Sequence, residues 1–140
     1  MKIFYSNVFK NYFLLMLTLF ATEVIFRGVV SFVVPVVDLP IFDWAMLRIF
    51  LGINIISLLL SVLYSFCGRI AGNILSFITA LVATIYAIAQ AGFVNYLGDF
   101  MSLGTSSQAG AVKDYISDYI ASFSWMFWFI AIPLIFMALF

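Results

Sequence analysis

Two full charges one helical turn apart, Glu23 and Arg27, stand inside an otherwise apolar run, in Ala21-Thr22-Glu23-Val24-Ile25-Phe26-Arg27-Gly28. The run is long enough to cross a bilayer, and a charge near the middle of a membrane helix costs roughly 2.5–3.5 kcal/mol on insertion scales. Such residues therefore face a protein interior or a polar cavity. The chain must supply an inside, which means several helices packed together. The spacing of four stacks carboxylate and guanidinium on one helix face, about 6 Å apart and within reach of a charge-assisted hydrogen bond.

Composition supports a membrane protein. Of 140 residues, 66% are hydrophobic, 19% aromatic and 9% charged, and the mean hydropathy is +1.23; soluble domains carry about 25% charged residues. Six basic and six acidic residues leave no net charge and no basic patch, which excludes nucleic-acid partners. With no His and one Cys, zinc sites, His-based acid/base work, Cys/His nucleophiles and an internal disulfide are excluded by inventory. No cofactor is expected. A signal peptide would need an apolar core of roughly 7–15 residues and a small-residue cleavage site, and the first apolar run is longer and lacks one.

The expected fold class is all-α: a polytopic membrane helix bundle of four spans, at about residues 12–37, 44–67, 70–94 and 123–140, as one transmembrane domain. Residues 1–11 hold Lys2 and Lys10 among aromatics, a lead-in suited to the headgroup region. The first span, about 39 Å as helix, exceeds the ~30 Å hydrocarbon core and should tilt or unwind near Pro35. Pro35 and Pro40 bracket Asp38 in the first connection, and Trp44 opens the second span with Arg48 one turn further in. The third span is lined by Gly68, Gly72, Ser76, Ala80, Ala83, Ala87 and Ala91, a small-residue stripe that predicts close helix packing and makes this span the central packing element. Residues 95–122 read as an amphipathic hairpin on the membrane surface, apolar faces Tyr96, Leu97, Phe100, Met101 and Val112, Tyr115, Ile116, Tyr119, Ile120. Its Asp99, Asp114 and Asp118 read as solvated residues rather than a metal site. The last run, with Trp125 and Trp128 at its start, is barely one crossing and ends inside the membrane.

Lys2, Lys10 and Arg69 flank one side, against Lys113 alone among five aspartates on the other, so the amino terminus is expected in the cytoplasm and the hairpin outside. Glu23, Arg27 and Arg48 then share the middle and outer half. One carboxylate against two guanidiniums leaves a positive charge suited to an anionic lipid phosphate, with phosphatidylglycerol as the expected partner. The alternative is that Arg48 snorkels to the headgroups while Glu23 and Arg27 neutralise one another.

Three stretches, Thr22-Glu23-Val24-Ile25-Phe26-Arg27, Tyr96-Leu97-Gly98-Asp99-Phe100-Met101-Ser102-Leu103 and Ala109-Gly110-Ala111-Val112-Lys113-Asp114, occur in the order and span spacing of a known membrane region. The chain resembles the amino-terminal membrane domain of the lipoteichoic acid synthase family, membrane-anchored phosphoglycerol transferases of the alkaline phosphatase and sulfatase superfamily. The resemblance implies a bacterial cell membrane, cell-wall biogenesis and a helical domain of five spans. A metal-dependent extracellular domain would follow and transfer glycerol phosphate from phosphatidylglycerol. The fifth span and that catalytic domain have no counterpart here, so no nucleophile or metal ligand carries over.

The first functional expectation is a membrane anchor that presents an anionic lipid to an outer catalytic domain. A second is a small accessory subunit whose stripe docks a partner membrane subunit, with the charges as interhelical pins. A third is a small transporter using Glu23 as a proton or cation carrier; Arg27 opposes that job by occupying the carboxylate as its ion-pair partner.

Overall fold

The structure, a computed structural model, describes residues 2–37, 39–41, 43–98 and 116–139. All regular structure among them is helical: α1 (Lys2–Val33), α2 (Trp44–Phe66), α3 (Arg69–Leu97), α4 (Ile116–Ala121), a 3₁₀ helix (Trp125–Ala131) and α5 (Ile132–Ala138). Three stretches, Asn7–Val33, Trp44–Phe66 and Arg69–Leu97, are long and apolar enough to cross a membrane. The chain is a helical membrane protein.

Local chemistry sets the boundaries. The basic lead-in, free of Pro and Gly, continues α1 rather than preceding it, and the helix stops at Val33 because Pro35 disfavours the helical conformation at Val34. The Asp43 carboxylate caps α2 by accepting the Met46 N–H at 2.7 Å. Between α2 and α3 the chain reverses through Gly68, whose φ of 86° is left-handed. Gly68 is exposed, so it belongs to the turn and not to the packing stripe. Residues 95–97, expected on the surface hairpin, are the last turn of α3; most of that hairpin lies outside the described residues.

The last apolar run is not one α-helix. Pro133 has no N–H to give the carbonyl four residues back, and its ring would crowd that carbonyl. The preceding turns tighten to a 3₁₀ helix, with the Ile132 N–H bonded to Phe129 O, before α5 resumes. Seven residues of each type cover roughly 25 Å.

The bundle is built inside out. Phe9, Phe13, Phe32, Leu59, Ile70 and Trp44 are exposed, while Asn11, Thr18, Thr22, Ser57, Ser61, Ser65, Ser76, Thr84 and Gln90 are buried. The inward face of α1 follows steps of three and four through Asn11, Leu15, Thr18, Thr22, Phe26 and Val30. Facing it, α2 presents Ser57, Ser61 and Ser65, and α3 presents Gly72, Ser76, Ala80, Thr84 and Ala91. The Ser61 and Ser65 hydroxyls donate to the carbonyls four residues earlier, each at 2.7 Å, which satisfies them within the helix and leaves a thin surface. Without a hydrophobic drive between helices in lipid, close approach supplies the attraction. At Gly72 it is tightest: a Cβ there would lie 2.8 Å from the Tyr64 carbonyl oxygen. Ala83 and Ala87 are half-buried. The centre is shared, since α1 packs against α2, α3, the 3₁₀ helix and α5. Phe26, Val30, Ala91, Val94, Phe127 and Ile130 join at one end, and Leu15, Ala80 and Met137 at the other.

Candidate functional site

Because α1 and α2 run antiparallel, the second half of α1 lies beside the start of α2, and there the buried charges meet. Arg27, 5% exposed, donates from Nε to Glu23 Oε1 at 2.9 Å, and from Nη1 to Pro40 O at 2.8 Å and to Asp43 Oδ1 at 3.4 Å. One turn on, Ser31 Oγ donates to Leu39 O at 3.3 Å and accepts the Leu39 N–H at 3.2 Å. The α1–α2 connection is thus tied to α1 by side chains on both sides of Pro40.

The sequence reading joined Glu23 and Arg27 with Arg48. The structure brings together Glu23 and Arg27, but Arg48 is exposed and makes no ion pair among the described residues. The reason is helical phase. The inward residues of α2 include Met46, Ser57, Ser61 and Ser65, and a residue two positions from Met46 points to the opposite side. Asp43 takes the third place. Two carboxylates then share one guanidinium, a balance of −1 where a positive cluster was expected. Asp43 is stabilised independently by the start of α2, whose N–H groups favour a negative charge.

Beside this knot, α1, α2 and α3 enclose a half-open cavity of about 490 Å³. Its polar wall is Thr22, Glu23, Tyr86 and Gln90, and Ile49 and Ile53 close the α2 side. The Gln90 Nε2 donates to Tyr86 Oη at 2.6 Å. Thr22 Oγ1 is buried and has no hydrogen-bond partner among the described residues. The Glu23 side chain is 25% exposed and that of Arg27 only 7%, so the carboxylate lines the cavity with the guanidinium behind it. Chemically, the wall offers hydrogen-bond acceptors among apolar side chains.

At the same end, α4 docks on α3. Tyr119 Oη donates to Ala89 O at 3.1 Å and Asn95 Nδ2 to Ser122 O at 2.6 Å. Burial pushes the Tyr119 phenol above its ordinary value. Asp118 is exposed; Asp99 and Asp114 lie outside the described residues.

Asp43, Thr22 and Gln90 were not singled out by the sequence reading. Signals for them exist: Asp43 stands three residues before the N–H it caps, and Gln90 is a lone amide deep in an apolar run. Comparisons with protein-family models, with curated proteins and with solved structures return no match.

Proposed function

We propose that this chain is the membrane domain of a phosphoglycerol transferase of the kind it resembles, a four-span unit of the bacterial cell membrane with a cytoplasmic amino terminus. In this reading it anchors and orients an extracellular catalytic domain. The observation that carries the reading is the use made of buried charge. Among the described residues, every hydrogen bond of Arg27 goes to Glu23 on its own helix or to the α1–α2 connection. With the Asn95 and Tyr119 ties, these bonds lie at the end of the bundle that the positive-inside argument puts outside the cell. A charge locked into structure in this way suits a platform better than a carrier. Arg48, exposed one turn beyond the exposed Trp44, is the residue left to meet phosphatidylglycerol headgroups.

The test is a chimera in which this chain replaces the membrane region of a lipoteichoic acid synthase in a strain depleted of its own enzyme. Polymer should be restored by the chimera and not by the same catalytic domain on an unrelated four-helix anchor expressed to the same level. Equal restoration by both anchors would remove the orienting role, and failure of a correctly inserted chimera would remove the reading itself.

A further inference from the structure

We draw no further inference here: the strongest candidate, the nearly apolar groove of about 540 Å³ between α1 and α5, lined by Leu17 and Ala21 on one side and Pro133 and Phe136 on the other, is an unpartnered surface, and nothing in the structure shows what covers it.

Discussion

Replacing Gly72 with Ala isolates the contribution of close helix approach. The added Cβ would lie 2.8 Å from the Tyr64 carbonyl oxygen, 3.3 Å from the Tyr64 carbonyl carbon and 3.2 Å from Asn11 Nδ2. The nearest atom belongs to backbone at the end of α2 and cannot rotate away, so α2 and α3 must separate by about half an ångström to restore ordinary contact. Overpacking of this kind costs about 1–3 kcal/mol. Gly52→Ala in the middle of α2 provides the matched control, because a Cβ there has no atom within 4 Å. Both substitutions exchange glycine for alanine within a helix, so the propensity gain of up to ~1 kcal/mol largely cancels in the difference between them. At about 4 °C per kcal/mol for a domain of this size, Gly72→Ala should melt about 4–12 °C below Gly52→Ala. The assay is fluorescence-detected size-exclusion chromatography after heating in a mild detergent, with Gly72→Leu expected lower still. If Gly72→Ala and Gly52→Ala melt together, the contact at Tyr64 does not hold the bundle and the small-residue stripe is incidental.

The buried knot should respond asymmetrically: Arg27→Gln leaves two carboxylates without their shared cation and should cost about 3 kcal/mol, whereas Glu23→Gln leaves Arg27 bonded to Pro40 and Asp43 and should cost about half as much. Thermal stability of both variants in detergent checks this, and equal losses would argue against the sharing. For topology, single cysteines at Ser6 and Ser107 in a Cys67→Ala background should react with an impermeant maleimide on intact cells only at position 107; labelling at position 6 alone would invert the orientation. Phosphatidylglycerol retained in native mass spectra should fall about three-fold in Arg48→Gln, since an exposed cation near the headgroups contributes on the order of 1 kcal/mol or less; unchanged retention would remove Arg48 as a lipid contact.

Long membrane helices are legible in sequence because lipid leaves the backbone no other partners than its own: an apolar run of sufficient length has to be helical throughout. Residues 44–67 and 70–94 were located to within three residues of α2 and α3 on that ground. What run length cannot register is hydrogen-bond register. Pro133 leaves the hydropathy of the last run high while removing the donor that an unbroken α-helix would need, and the 3₁₀ helix before it follows from that missing N–H. Gly68 was misassigned for a related reason. It continues the four-residue rhythm of Gly72, Ser76 and Ala80, but its positive φ takes it out of the helix altogether.

At the charged site, angle around the helix axis decides which residues meet, and depth along it does not. Arg48 and Arg27 lie at compatible depths, yet the Ser57, Ser61 and Ser65 ladder, carried back in steps of three and four, reaches Met46 and leaves Arg48 on the opposite face. The ladder itself was readable in the sequence and fixes which side of α2 meets α1. Given that side, Asp43, held at the mouth of α2 by its own capping bond, is placed to reach Arg27. The capping role and the charge role then reinforce each other: the carboxylate that starts α2 also receives the guanidinium, Asp43 Oδ1 being bonded at 2.7 Å to Met46 N and at 3.4 Å to Arg27 Nη1, while further along the same helix pair the Tyr12 hydroxyl donates to Asn54 Oδ1 at 2.7 Å, so α2 is registered against α1 by directional contacts at two levels. Small serines and glycines let the helices approach but are nearly alike along the seam, and a directional contact of this kind is what distinguishes one register from its neighbours.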